Sequence, residues 1–315
     1  MPDISASLSV LDATVFLYPS VGDAEKGTKF GGSGVLVGLQ SQSIPGYLFG
    51  YVVTNWHVAC SSGASVIRIN TPDGKTNIID KDPSEWTFLP GKQDLAVTSF
   101  NRPKDIVPSY VPTSLFIMDD DKSDAHVGDD VFMVGRFIDY DGHETNHPAA
   151  RFGIISMMDA PIKQPTGFLG RSIIVDMHSR TGFSGSPVYV YRPGGITVLT
   201  EANFDNPNLP KLGGPKRSHR KWGIGNDVQV RLLGILWGQF PERWEIRHPE
   251  NTPANPALVT DGSYVNGFSG MSCVIPATQI IELLDHSQLK ADRTSAEQNI
   301  SNLVNQVIKP KEGPG

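Results

Sequence analysis

The sequence predicts an all-β protein, and two observations carry the prediction. Glycine (32 residues) and proline (24 residues) are abundant in the chain of 315 residues. They punctuate many short apolar runs instead of flanking long helical periods. The length is enough for one compact unit with a substantial core. No internal repeat is visible.

The runs fall in order along the chain. In the first half they are Thr14–Tyr18, Ser33–Leu39, Leu48–Thr54, Ser65–Asn70 and Leu95–Phe100. In the second half they are Val131–Gly135, Arg151–Met157, Ser172–Asp176, Pro187–Tyr191, Val228–Gly238 and Gly270–Ile275. The carboxy-terminal segment reads differently. Ala277–Leu284 follows Pro276 and carries Ile280, Ile281 and Leu284 on one side, which predicts a helix. A second helix is predicted to start at a capping box, Thr294-Ser295-Ala296-Glu297. Ala296, Ile300, Leu303, Val304 and Val307 then line one face.

Charge and composition exclude several function classes. With 27 Lys+Arg against 33 Asp+Glu the formal charge is −6, which argues against nucleic acid as the main partner. No apolar run is long enough to predict a membrane span. Met1-Pro2-Asp3-Ile4-Ser5 has neither the basic nor the apolar region of a signal peptide. Cys60 and Cys273 are the only cysteines, and two reduced thiols favour the cytoplasm. His143 and His147 are spaced i, i+4 but sit in a Gly/Pro-flanked loop without a carboxylate pattern, so no metal site is expected.

The chemistry lies in Gly182-Phe183-Ser184-Gly185-Ser186-Pro187. A serine hydroxyl needs a base to take its proton and donors aimed at the oxyanion it creates. Glycine on both sides lets the backbone turn so that its own N–H groups face that oxyanion. Such a motif calls for a histidine and a carboxylate elsewhere. His57 ends the apolar run Tyr51-Val52-Val53-Thr54-Asn55-Trp56, and Asp94 opens the buried run Leu95-Ala96-Val97. A charge at the mouth of such a strand is costly without a partner, and an imidazole that becomes charged in turnover is a suitable one.

These blocks, in the order His, Asp, Ser, resemble the trypsin-like serine peptidases of the chymotrypsin fold in their bacterial form. The resemblance covers residues 10 to 287. It is also carried by Gly32-Ser33-Gly34-Val35, Leu233-Gly234-Ile235-Leu236-Trp237-Gly238 and Gly270-Met271-Ser272-Cys273-Val274-Ile275-Pro276. It implies two six-stranded Greek-key β-barrels, one over residues 10–120 with His57 and Asp94, the other over residues 121–287 with Ser184. Residues 288–315 form a helical tail expected to pack on the second barrel.

The resemblance further implies a serine endopeptidase in which Ser184 is the nucleophile, His57 the base and Asp94 the group that orients it. The N–H groups of Gly182 and Ser184 form the oxyanion hole, and Leu236, Trp237 and Gly238 receive a peptide as an added strand. No cofactor is called for. His178 stands near the base of the specificity pocket, as a donor to an acidic or amide side chain or as a plain wall residue. Asp176 is read as structural. Phe183 occupies the place of the aspartate that pairs with a processed amino terminus in zymogen-activated relatives, so activation through that ion pair is excluded. Two insertions are expected to be loops. Residues 192–227 hold Lys216, Arg217, Arg220 and Lys221 as a candidate partner surface, with self-association through the tail as another possibility. Residues 239–266, with Arg243, Arg247 and His248, border the pocket and are expected to gate it. Two further readings stay open, a catalytically silent peptide-binding module and an esterase using the same triad.

Overall fold

The computed structural model describes residues 10–71, 73–103, 108–119, 125–136, 145–179, 182–192, 229–246 and 263–308. The chain is all-β in two sheets followed by two helices, as the sequence predicts. The first sheet comprises β1 (Thr14–Tyr18), β2 (Gly32–Gln40), β3 (Leu48–Thr54), β4 (Val66–Asn70), β5 (Thr76–Ile79) and β6 (Ala96–Ser99), with the short β7 (Val111–Pro112) added parallel to β2. Its strand order is β5-β4-β1-β2-β3-β6. The second comprises β8 (Asp130–Arg136), β9 (Pro148–Lys163), β10 (Leu169–Asp176), β11 (Pro187–Arg192), β12 (Gln229–Glu245) and β13 (Tyr264–Pro276). These six close into a barrel in the order β10-β13-β12-β11-β8-β9.

One expectation needs correcting. The first sheet is a half-barrel, because β5 and β6 do not pair. The chain between them narrows the gap through a single bridge, Thr87 to Val97, with N–H···O distances of 2.7 and 2.9 Å.

Burial follows the pleat. On β2, Leu36 points into the first half's core with Val15, Leu17 and Val52, whereas Val35 and Val37 point the other way. There they meet Phe132, Val134, Tyr189 and Leu232 of the second barrel. β1 is buried along its whole length, since Phe16 and Tyr18 are covered by Ala24 of α1 (Val21–Lys26) and by Val66. The core between the halves also takes in Ile280, Leu283 and Leu284 of α2 (Ala277–Leu284), so this helix acts as a wedge.

The tail departs from expectation in two ways. A single helix, α3 (Ser287–Ile308), runs straight through the predicted capping box. Thr294 Oγ1 donates back to Lys290 O at 3.0 Å, and Glu297 accepts from Ser41 Oγ at 2.5 Å and Ser43 Oγ at 2.9 Å. The helix therefore docks on the first half, not on the second barrel. Arg293 secures it by donating to Tyr51 Oη at 3.1 Å and Leu284 O at 2.9 Å, and Leu289 enters the shared core. On the predicted apolar face Leu303 is exposed.

Of the two insertions, the structure describes part of the second. Residues 193–228 lie outside the described residues, and with them Lys216, Arg217, Arg220 and Lys221. The described ends of the 239–266 segment form a β-ribbon in which Pro241, Glu242, Arg243, Trp244 and Glu245 pair with Phe268, Gly267, Asn266, Val265 and Tyr264. Residues 247–262, including Arg247 and His248, lie outside the described residues, as does His143. His147 meets Thr145 Oγ1 at 2.9 Å through Nε2.

The Glu297 contacts generate a prediction. The hydroxyls of Ser41 and then Ser43 hold its carboxyl below the usual carboxylate range. A depressed folded-state value means that its contribution is present above the ordinary carboxyl range and is lost as pH falls through the folded value. Glu297→Ala at neutral pH, or acidification of the parent through the folded value, is expected to lower the protection factors of α3 amides beyond Leu289, each taken against the intrinsic exchange rate at that pH. Strands β1–β3 should keep their protection. Hydrogen exchange read by mass spectrometry checks this.

Candidate active site

The site forms where the two halves meet. His57 opens a short π-helical turn, His57–Ser61, directly after β3. Asp94 precedes β6, which pairs antiparallel with β3, so the sheet places the two residues side by side. His57 Nδ1 lies 2.6 Å from Asp94 Oδ2, and His57 N–H donates to Asp94 Oδ1 at 2.9 Å. Both carboxylate oxygens thus serve one residue. The Asp94 side chain is fully buried, whereas that of His57 is 28% exposed. One end of the imidazole faces a buried anion and the other is open to the cleft.

Two further contacts fix the Asp94 backbone, and its neighbour is anchored as well. Asn55 Nδ2 donates to Asp94 O at 3.0 Å, and Asp94 N–H donates to Gln164 Oε1 at 2.7 Å. The preceding residue, Gln93, is tied to Gln279 and Glu282 of α2. Cys60 sits behind the pair. Burial, and then the Asp94 charge, push its thiol up to about 11, and burial pushes the Cys273 thiol up to about 12. Neither is disulfide-bonded. Both stay protonated at neutral pH and are poor nucleophiles there.

Ser184 sits on the turn before β11. Ser33 of β2 holds this turn from the opposite half. Ser33 N–H donates to Ser184 O at 2.8 Å and Ser33 Oγ to Gly182 O at 3.0 Å. Within the turn, Ser186 N–H donates to Phe183 O at 2.9 Å. A trans peptide directs its N–H opposite to its C=O, so the Ser184 N–H points away from Ser186. Among the described residues the N–H groups of Gly182 and Ser184 donate to none. Gly185 N–H donates to Leu236 O, and Leu236 N–H to Ser186 O, both at 2.9 Å. Phe183 is fully buried in the second barrel's core, with the Arg151 guanidinium 5.1 Å from its ring centroid. Among the described residues no hydrogen bond joins Ser184 Oγ to His57 Nε2.

The remaining candidates border this centre. Leu236 is buried and holds the Ser184 turn. Trp237 is the extra residue of a bulge, since Leu236 pairs with Val274 and Gly238 with Cys273. The bulge turns the Trp237 indole onto β10, where Nε1 donates to Ser172 Oγ at 3.1 Å. His178 is exposed after β10, and its carbonyl accepts weakly from Arg151 Nη1 at 3.4 Å. Its ring and the Asp176 carboxylate flank Gly270, where an added Cβ would lie 3.4 Å from His178 Cε1 and 3.6 Å from Asp176 Oδ1. Among the described residues no hydrogen bond joins His178 to His57 or Ser184. Among the described residues no cluster of three or more His, Cys, Asp or Glu is arranged to hold a metal ion. Likewise, no helix among them is long and apolar enough to cross a membrane.

The sequence motifs include Ser33 and Asn55 without giving either a task, and they omit Gln164. Ser33 stood between two glycines that bring β2 close to another backbone, a usable signal. Gln164, a lone polar residue in a turn, had none.

The family profile described as trypsin-like peptidase domain matches residues 32–192, just over half of the chain. The chain belongs to the trypsin-like peptidases. It is also similar to the MamO protease domain of Magnetospirillum magneticum in its apo form. That match has 15% identity and a TM-score of 0.44, and covers 87% of this chain and 96% of that one. The inactive form of Rv3671c from M. tuberculosis H37Rv, a serine-to-alanine mutant, matches with 14% identity and a TM-score of 0.43, covering 92% of this chain and 91% of that one. No curated protein matches the chain significantly.

A prediction follows from the turn of this trypsin-like domain. Gly185 has φ +85°, and a Cβ there would lie 1.9 Å from Ser33 O and 2.3 Å from Thr54 Oγ1. Left-handed strain and overpacking act together, so Gly185→Ala is expected to cost at least about 2 kcal/mol. Urea unfolding of parent and variant measures it, the variant's midpoint falling well below the parent's.

Proposed function

We propose that this trypsin-like domain is a serine endopeptidase that acts through Ser184, His57 and Asp94. The observation that carries the reading is the 2.6 Å contact between His57 Nδ1 and the fully buried Asp94 carboxylate. A buried carboxylate spanning two N–H groups of one histidine fixes the tautomer with Nδ1 protonated and leaves Nε2 as acceptor. It also stabilises the imidazolium that forms when Nε2 takes a proton.

In this reading Ser184 Oγ attacks the substrate carbonyl carbon and its proton passes to His57 Nε2. The oxyanion is received by the N–H groups of Gly182 and Ser184, which are unengaged among the described residues. His57 then protonates the leaving amine. Water then gives a proton to His57 while its oxygen attacks the acyl carbon; the C–O bond to Ser184 breaks and His57 returns the proton to Ser184 Oγ. The substrate chain lies along the backbone of Leu236, Trp237 and Gly238 as an added strand. His178, beside Gly270, borders the pocket for the residue before the scissile bond.

One observation favours a second reading. Ser184 Oγ and His57 Nε2 share no hydrogen bond among the described residues. A module that binds peptide without cleaving it fits that separation, and so does a protease whose catalytic contact tightens only around substrate.

Labelling by a fluorophosphonate probe separates the readings. The parent is expected to label at one site, Ser184. Ser184→Ala and His57→Ala should lower amide hydrolysis by roughly 10⁶, and Asp94→Asn by about 10⁴ through loss of the correct tautomer. An unlabelled but folded parent would support the silent module. Turnover of esters but not amides would make the chain an esterase.

A further inference from the structure

The turn between β9 and β10 belongs to the second barrel, yet its polar contacts reach the first half. Gln164 Oε1 accepts from Asp94 N–H at 2.7 Å, and Thr166 Oγ1 donates to Lys92 O at 2.7 Å. Lys92 Nζ lies 5.5 Å from the Phe168 ring centroid. The turn is itself rigid. Gln164 N–H donates to Phe168 O and Gly167 N–H to Gln164 O, both at 2.8 Å. Gly170 leaves the room these side chains need, since a Cβ there would lie 2.5 Å from the Phe168 ring and 3.0 Å from Gln164 Nε2. Gln164 is only 3% exposed, so water does not compete freely for its amide.

We propose that Gln164 is a positioning residue of the site, holding Asp94, and through it His57, in register with Ser184. The proposal rests on reading these three residues as a triad. Its logic is geometric. Asp94 must present both carboxylate oxygens to His57 at 2.6 and 2.9 Å, which leaves little tolerance in its backbone dihedrals. Its N–H direction is one of the two handles on those dihedrals, and its carbonyl, held by Asn55, is the other. Asn55 belongs to the same half as Asp94. Gln164 belongs to the half that carries Ser184. The bond from Gln164 therefore ties the His–Asp pair directly to the barrel that holds the nucleophile. A glutamine that merely stabilised the interface would not need its oxygen on Asp94.

The experiment compares parent, Gln164→Ala, Gln164→Glu and Thr166→Ala by fluorophosphonate labelling rate against pH, with melting temperature recorded. Of the titratable groups around the pair, Cys60 feels the Asp94 charge, while Lys92 Nζ lies over the Phe168 ring and Glu282 accepts from Gln93 Nε2. Gln164→Ala is expected to slow labelling roughly 10–100-fold, the penalty of a misplaced catalytic group. Gln164→Glu keeps the accepting oxygen and covers the case in which the alanine variant fails to fold. It should label near the parent's rate at high pH. Its acid limb should shift upward, because a second carboxylate beside the pair favours the protonated imidazole. Thr166→Ala, which loses the bond to Lys92 O and the 3.3 Å bond from Phe168 N–H but no bond to Asp94, should keep the parent's profile. Gln164→Ala labelling at the parent's rate with the parent's acid limb would overturn the proposal. Absence of labelling in the parent overturns the triad reading instead. Positioning is then decided by the His57 Nδ1–H resonance of histidine-labelled protein, which must move in Gln164→Ala and stay in Thr166→Ala, or the proposal falls.

Discussion

The hydrogen bonds of Ser33 are the constraint on which the rest of the site depends. This one buried residue of β2 donates its N–H to Ser184 O and its hydroxyl to Gly182 O, while its carbonyl accepts from Thr54 Oγ1 at 2.7 Å. Its hydroxyl also accepts from Arg136 N–H at 3.0 Å. The carbonyls on either side of Phe183-Ser184 are thereby fixed by the half that does not carry them. Each bond is modest, about 1 kcal/mol net. Removing the hydroxyl would leave the buried Arg136 N–H and Gly182 C=O without it, which is the more costly event. In relatives that use an aspartate before the serine, an ion pair shapes this turn. Here Phe183 anchors it by burial and Ser33 orients it by hydrogen bonding.

Asp94 extends the same logic to charge. A fully buried carboxylate is tolerable only with near-complete compensation. His57 supplies two donors, and the surrounding backbone is held by Asn55, Gln164 and, through Gln93, by α2. Three elements from different parts of the chain converge on one residue. The interface between the halves is thus not a passive seam. It is where the histidine and aspartate of one half are set against the serine of the other, and α2 wedged into that interface makes the carboxy-terminal region part of the same assembly.

Much of this was legible in the sequence where the local signal and the tertiary demand agree. Thr14–Tyr18, Leu48–Thr54 and Ala277–Leu284 form with the predicted limits because apolar period and punctuation coincide there. Strand ends were less legible. β9 runs to Lys163 and β12 to Glu245, past Pro161 and Pro241, because exposed ribbon edges tolerate proline that a central strand would not. β5, with no fully buried residue, and the two-residue β7 gave too little apolar signal. The Thr294–Glu297 pattern misled because a capping box needs a helix start, and α3 is already under way from Ser287. The Glu297 carboxylate finds its donors in Ser41 and Ser43, more than 250 positions earlier in the chain. Gln164 was invisible for the same reason, since its partner lies 70 positions away on the other half.

The central claim is that the Ser184 turn is held from β2 as firmly as the core itself, while the Ser184 N–H stays available to a ligand. Residue-resolved amide hydrogen exchange tests it most directly. The account predicts that Ser33, Gly185 and Ser186 N–H exchange only through global unfolding, with protection matching that of Val35 and Val53, and that Ser184 N–H exchanges orders of magnitude faster. Ser33 and Gly185 exchanging through a local opening, at the rate of Ser184, would contradict it.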